Sequence, residues 1–526
     1  MSNQRRVIFQ PGVSVYLGNG IQKLVDAIAP TLGPVPRLVA NKTGFDGAIE
    51  LLDSGGTIAR RVIQLPDADE DMGAMLLRQM LVEPQEDMGD GTATAALIFQ
   101  QVYREGQRAI AAGCNAQRLR HFLNIGVKRV LDHLATLTRP AGDSDTLSKL
   151  ACSINHDPVL GALLGEVVHM MGEYGRIEVR EGQGRDSYWE AVEGTYRDDA
   201  GLFSAEMLTD KLHRRTDFEN PAILISDLDI REPKELAPPL LAAIKAGIHS
   251  LVIVAHSISP EALGYLVTNC TPDKIQVAVV KTPGGTLNRA DALQDLALLT
   301  GGRAFLQAAL ETFLKLTVQD FGRAGHFWAR MDAFGIVDGK GDAQQIDNQI
   351  VALHHAYQQA EDRTLRQHLH GRIGMLMGSS ATVWTGGASE REVKSKHADA
   401  LRMVHLLRAA LKDGVLPGGG MALWMCREAL TECSEESDGD EDERAAYRIL
   451  QGALETPLCR IITSAGYDPG SIIARMQDTD CGFDALSGQV IETGVLDVAA
   501  VQKAALQRAV ESAALALTID VLVHRR

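Results

Sequence analysis

Two glycines bracket a carboxylate in Gly89-Asp90-Gly91-Thr92-Ala93-Thr94, and the helix-compatible run Ala95-Ala96-Leu97-Ile98-Phe99-Gln100-Gln101-Val102 follows without a break. Glycine lets the backbone approach a ligand closely, and the bare N–H groups of a helix start attract anions. Such a seat suits phosphate. An acidic side chain there repels phosphate unless a divalent cation lies between them, which makes Asp90 a magnesium ligand. A tight turn in which Asp90 or Thr92 caps the helix fits the same residues. A second turn, Asp53-Ser54-Gly55-Gly56, again sets a carboxylate and a hydroxyl ahead of Thr57-Ile58-Ala59-Arg60-Arg61-Val62.

Several elements must hold these turns. Leu24, Val25, Ile28 and Ala29 recur at helical spacing between Ile21 and Ala29, and Pro30 with Leu32-Gly33-Pro34 ends that helix. Helices are expected over Met72–Leu81, Thr94–Ala111 and Ala116–Leu137. Another opens at Ser153-Ile154-Asn155-His156-Asp157 and closes near Tyr174-Gly175. Beyond Gly194 the pattern changes: strands Ala222–Ile225, Leu251–Ala255 and Ile275–Val280 alternate with helices Leu236–Ala246 and Pro260–Asn269. That alternation predicts βαβ units and a largely parallel sheet. A polar amphipathic stretch spans Gln344–Met377, Ala381-Thr382-Val383-Trp384 is strand-like, and helical pattern dominates from Glu392 onward. Helical ends around an α/β centre predict a multidomain chain in which both ends build one domain and the centre is inserted.

With 526 residues, 45% hydrophobic and 23% charged, the composition is that of a globular protein able to bury a large core. A net charge of −16 opposes nucleic-acid binding. The strongest apolar run, Leu240 to Ala255, is too short to span a membrane and carries Lys245 and His249. The start, Met1 to Phe9, is charged but lacks the apolar core of a signal peptide, so a cytoplasmic location is expected. Seven scattered cysteines without a Cys-x-x-Cys pair indicate neither a disulfide framework nor zinc. His354-His355 and His368-x-His370 read as a solvated helix face rather than a metal site, and the acidic run Glu435 to Glu443 as a solvated loop.

The chain resembles the group I chaperonins, the GroEL-type heat-shock class. The resemblance rests on Thr31-Leu32-Gly33-Pro34, Gly89 to Thr94, Leu293-Gln294-Asp295 with Leu299-Thr300-Gly301-Gly302, Gly414 to Gly420, and Gly494-Val495-Leu496-Asp497, in the family's order and spacing over nearly the whole chain. It implies an equatorial nucleotide-binding domain (1–136 and 412–526), a small intermediate domain (137–193 and 380–411) and an inserted α/β apical domain (194–379). It also implies ATP and Mg2+ as cofactors and non-native polypeptide as substrate. A homo-oligomeric, seven-membered ring and a GroES-type co-chaperonin are the expected partners, with no role for nucleic acid or membrane. Carried over position by position, the nucleotide site comprises Thr31, Leu32, Gly33, Pro34, Asp53, Asp90, Gly91, Thr92, Ala93, Thr94, Ser153, Gly419, Asp484, Ala485 and Asp497, with Asp90 on the metal.

Some positions depart from the family's pattern. Ser54 and Arg402 stand where the family carries the carboxylates that assist hydrolysis, and neither side chain serves as a base at neutral pH. Asp53, at a position usually held by Lys, and Asp399, about one helical turn from Arg402, are the nearest carboxylates and the catalytic candidates. Arg402 suits a phosphate partner instead. Binding is expected to survive better than turnover. The apical positions that meet unfolded polypeptide match Leu202, Met207, Leu240, Leu263 and Val267, unless these side chains pack the apical core. The end, Val523-His524-Arg525-Arg526, lacks the family's Gly-Met tail. Two functions follow from the resemblance: a divergent folding chaperonin with slow or lost hydrolysis, or a non-enzymatic scaffold on the same fold. An unrelated nucleotide-dependent α/β enzyme would need a catalytic motif that the central segment lacks.

Overall fold

The computed structural model describes residues 7–34, 37–43, 48–52, 54–62, 64–88, 90–155, 157–197, 199–211, 214–269, 274–284, 289–436, 440–476, 482–491 and 495–523. Asp53, Gly89, Gly494 and the terminal His524-Arg525-Arg526, all singled out above, lie outside them. Two compact units form: Met1–Glu173, Gln183–Ser187 and Gly386–Arg526 make the first, and Tyr174–Gly182 with Tyr188–Thr385 make the second. Both chain ends therefore build one helical unit, and an α/β unit is inserted between them.

In the helical unit, helix Gly12–Ile28 begins earlier than its strongest apolar spacing suggests, because Val13 and Leu17 extend the same buried stripe. It packs on helix Ala68–Met88 at glycine contacts: a Cβ on Gly20 would stand 1.8 Å from the Glu70 carbonyl oxygen, and one on Gly73 2.2 Å from that of Leu17. Helices Thr92–Ala111, Ala116–Leu137, Glu441–Ser464 and Ala499–Ala516 complete a core that includes Ile98, Phe99, Leu123, Leu450 and Leu506. The same unit carries two short ribbons. Val7–Phe9 pairs antiparallel with Val521–Val523, and Val39–Thr43 with Ala48–Leu52.

Local chemistry revises two expectations in this unit. The helix expected from Ser153 onward is two helices, Ser144–Asn155 and Pro158–Met171, because Asp157 accepts from the Val159 and Leu160 N–H groups and Pro158 takes the first position. The acidic run is not all loop. Asp440 caps helix Glu441–Ser464, whose first turn holds Glu441, Asp442 and Glu443 where the helix dipole favours negative charge. Arg118 pairs with both Asp440 and Asp442.

The inserted unit is built on an eight-stranded sheet that is mixed rather than largely parallel. Gln276–Lys281, Ser250–Ala255 and Ala222–Ser226 are parallel neighbours, as their crossover helices Ala237–Lys245 and Pro260–Asn269 require. Gly322–Ala329, Phe334–Gly339, Thr195–Arg197 and Thr216–Glu219 join antiparallel, the first two through a short hairpin. Fully buried strands such as Ala222–Ser226 read as continuous apolar runs and were legible; the half-exposed antiparallel ones were not.

The stretch from Gln344 to Met377 is a helical hairpin, Ala343–Gln359 and Arg363–Met377. Of its histidines, His355 is exposed as expected, whereas His354, His368 and His370 are half-buried. His354 and His370 pack against Tyr174 at ring distances of 4.5 and 5.2 Å, and His368 Nε2 lies 3.0 Å from Asp291. Arg372 forks onto the fully buried Asp295 with two 2.8 Å bonds, tying the hairpin to helix Arg289–Thr300. No cluster of metal-ligating side chains occurs among the described residues.

Candidate functional site

Within the helical unit, a cavity of about 980 Å³ gathers every described nucleotide position expected from sequence: Thr31 to Pro34, Asp90 to Thr94, Ser153, Gly419, Asp484, Ala485 and Asp497, with Ser54 on its lining too. Asp399 and Arg402 line it as well. These residues come from distant parts of the chain, and the backbone explains how they meet.

Helix Thr92–Ala111 starts at the cavity. Its N-cap is Gly91, neither Asp90 nor Thr92, and no side chain caps the first turn. Gly91 has φ 84°, and a Cβ there would come within 2.8 Å of Val501 Cγ1, so the turn demands glycine. The Asp90 carboxylate accepts the Gly91 N–H at 2.8 Å and is otherwise open to solvent. Bare amides beside a carboxylate suit a phosphate bridged by a hard cation.

Ser54 N-caps helix Gly55–Arg61 by backbone position, without a side-chain bond, and leaves its hydroxyl on the cavity wall. Thr31 turns its hydroxyl back to the Ile28 carbonyl at 2.8 Å, which fixes the entry to Leu32-Gly33-Pro34. On the opposite side, strand Val415–Pro417 pairs with Leu496–Val498 and sets Asp497 across from Leu416, next to the glycine loop. Ser153 supports the same strand through its hydroxyl, 3.4 Å from the Leu496 nitrogen. Asp484 lies in the hairpin Gly482–Asp484 with Gln489–Ile491 and accepts the Leu486 N–H at 2.9 Å. Ala485 is a packing residue, buried with Met421, Leu458 and Phe483.

Electrostatics distinguish the carboxylates. Burial, and then the charge on Asp90, push the Asp497 carboxyl up to about 7, against hydrogen bonds from the Gly419 N–H and Gln502 that favour its anion. Bonds from Ser487 and Leu486 hold Asp484 below the usual range. Two carboxylates this close disfavour each other's ionised forms, and burial adds to the effect at Asp497. Gln502 donates to Asp497 at 3.0 Å, while its Oε1 is buried without a partner among the described residues. Sequence reasoning passed over Gln502, whose only signal is its place on the first turn of the helix that follows Asp497.

Asp399 and Arg402 project from helix Glu390–Asp413, which Ser389 caps. Three residues apart, they share one face, with Arg402 Nη2 3.7 Å from Asp399 Oδ1. The hydroxyl of Ser54 and the guanidinium of Arg402 thus do border the cavity, with Asp399 as a carboxylate beside them.

The apical positions divide differently. Leu202, Met207 and Leu240 are buried at 1, 8 and 7% exposure, Leu263 is half-buried, and only Val267 is exposed. The expected row of five presented side chains is corrected: the first three pack against strands of the sheet core with Leu236, Ile253 and Val279. The exposed apolar residues nearby are Leu241, Ile244 and Tyr265. Leu314 is exposed on the turn Phe313–Lys315, which packs against helix Ala237–Lys245.

A helical unit from both chain ends with an uncapped, glycine-started helix over an acidic cavity, and an inserted α/β unit, together define the chaperonin class. The model of the TCP-1/cpn60 chaperonin family matches residues 24–526, and the chain belongs to that family. Among solved structures it is similar to the chaperonin gp146 of bacteriophage EL, a Pseudomonas aeruginosa phage, in two crystal forms. The first gives a TM-score of 0.70 at 18% identity over 99% of each chain, and the second 0.63 at 18% over 100% of each. The chain is thus a divergent member of the chaperonin family.

Proposed function

We propose that this chaperonin binds magnesium–ATP in the helical unit, captures non-native polypeptide on the inserted unit, and works as a homo-oligomeric ring with slow ATP turnover. The observation that carries the nucleotide reading is the convergence of Asp90, Asp497, the uncapped Thr92 helix start and the Gly419 loop on one cavity. The similar phage EL chaperonin was crystallised in the presence of ATP-BeFx, which agrees with this assignment. Magnesium–ATP, when bound, would supply the phosphoanhydride and a divalent cation, and Asp90 is the residue that would hold the cation. The amides of Thr92, Ala93 and Thr94 orient phosphate, and Gly419 allows its close approach.

Turnover needs a proton acceptor. A water oxygen bonds to the terminal phosphorus as the bond to the leaving diphosphate breaks, and the water's proton goes to a carboxylate. Asp399, the carboxylate nearest Arg402 on the cavity lining, is paired with that arginine, and Ser54 offers only a hydroxyl. Slow hydrolysis follows from this arrangement. The same observation favours the second reading, a scaffold that keeps the fold and binds nucleotide without a folding cycle.

Polypeptide capture is supported by the exposed Leu241, Ile244, Tyr265, Val267 and Leu314. Ring formation is supported by the two ribbons, each with an open edge and exposed apolar residues: Val7, Phe9 and Val523 on one, Ile49 and Leu51 on the other. A seven-membered ring, a GroES-type co-chaperonin and the division into equatorial, intermediate (137–193 and 380–411) and apical parts belong to the same proposal. So does a cytoplasmic location; among the described residues no helix is long and apolar enough to cross a membrane.

Calorimetric titration with magnesium–ATP tests the central reading. Asp90→Ala is expected to weaken magnesium-dependent binding by at least about 10- to 100-fold, as loss of a metal ligand does. Equal affinity of the parent and variant would remove Asp90 from the site.

A further inference from the structure

The cavity's cations are unequal. Arg60 is exposed, and Lys149 is 62% exposed and already bonded to Asp145 at 2.7 Å. Arg402 is different. Its stem is half-buried, its Nε is buried with no hydrogen-bond partner among the described residues, and its Nη2 reaches Asp399 only at 3.7 Å, beyond hydrogen-bond range. A guanidinium carries five donors in a planar fork that matches phosphate oxygens. Much of that capacity is unspent, and it borders the space that holds Asp90 and the uncapped helix start.

We propose, resting on the nucleotide reading above, that Arg402 is the residue that distinguishes a nucleoside triphosphate from a diphosphate, and that Asp399 is the latch that holds it when the terminal phosphate is missing. The argument is one of exchange. The terminal phosphate adds negative charge and oxygens at the end of the ligand, and a cation that meets them gains charge-assisted bonds that a diphosphate cannot supply. Asp399 and Arg402 share one helix face, so a change of side-chain rotamer suffices to move the guanidinium from carboxylate to phosphate. That move gives the buried Nε a partner.

The test is calorimetry on the full chain with magnesium–ADP and with a non-hydrolysable magnesium–ATP analogue, with circular dichroism and particle mass confirming that each variant is folded and assembled. The parent should prefer the triphosphate. Arg402→Ala should lose about 10- to 100-fold in triphosphate affinity, the range for a hydrogen-bonded charge, while diphosphate affinity stays within about twofold. Arg402→Lys should recover part of the preference, because it restores the charge without the fork. Asp399→Asn, which removes the latch, should bind triphosphate as tightly as the parent or tighter. If Arg402→Ala leaves the triphosphate-to-diphosphate ratio unchanged, or weakens both nucleotides equally, this inference is wrong while the nucleotide reading stands. A folded parent that binds neither nucleotide overturns both.

Discussion

Leu240 and Leu241 are neighbours on helix Ala237–Lys245, yet one is 7% and the other 54% exposed, because successive residues on a helix point about 100° apart. Their substitution should have opposite consequences. Leu240→Ser removes a buried side chain and introduces a hydroxyl into the core with Leu236 and Ile253, which costs about 2–5 kcal/mol of stability. Leu241→Ser with Ile244→Ser changes two side chains that are each 54% exposed, and stability should move by less than about 0.5 kcal/mol per site. Their effect falls on binding. Burying a whole Leu or Ile side chain is worth about 1.5–3 kcal/mol, so covering the exposed half of each contributes about 1 kcal/mol. Together these give about 2 kcal/mol, or about 30-fold in affinity for a denatured client. Denaturant unfolding measures the first effect, and fluorescence anisotropy with a labelled, denatured client measures the second. The reasoning fails if Leu241→Ser/Ile244→Ser holds the client as tightly as the parent does, or if Leu240→Ser unfolds at the parent's denaturant midpoint and loses the client.

Two further outcomes follow from the ion pairs. Ser54→Asp combined with Arg402→Asp should raise steady-state phosphate release by about 10²–10⁴ while weakening ATP binding; unchanged release would show that the missing carboxylates are not what limits turnover. Arg372→Met strands the buried Asp295 and should destabilise the inserted unit by about 3–5 kcal/mol at neutral pH. Burial already raises the Asp295 carboxyl above its ordinary value against the pull of Arg372, and losing the arginine raises it further. The folded state then holds a proton that the unfolded state has released, so the deficit shrinks as pH falls from the raised value toward the unfolded one. Unfolding curves recorded from pH 7 down to about 4.5 check this, and a deficit that grows with acidification would refute it.

The local sequence determined the helix-forming glycine turns and their candidate ligands, because a helix start, its φ-positive Gly91 and its capping pattern depend on residues close together in the chain. Helix Ala116–Leu137 and the buried parallel strands were legible for the same reason: amphipathic spacing and continuous apolar runs are local signals. The antiparallel strands of the inserted sheet were not, since residues such as Thr216–Glu219 become strands only by pairing with Gly322–Ala329 more than a hundred residues away. The resemblance implied that Leu202, Met207 and Leu240 present themselves to polypeptide, but only the tertiary packing decided that they bury and that Leu241 and Ile244 face outward. The site divides in the same way. Residue type and spacing placed Asp90 in its candidate role and the family resemblance placed Ser54 and Arg402, whereas the strand pairing of Leu416 with Asp497 sets that carboxylate beside the glycine loop, and the turn of helix Glu390–Asp413 puts Asp399 within 3.7 Å of Arg402. Residue chemistry is carried by each side chain alone; distance, burial and the choice of neighbour belong to the folded chain.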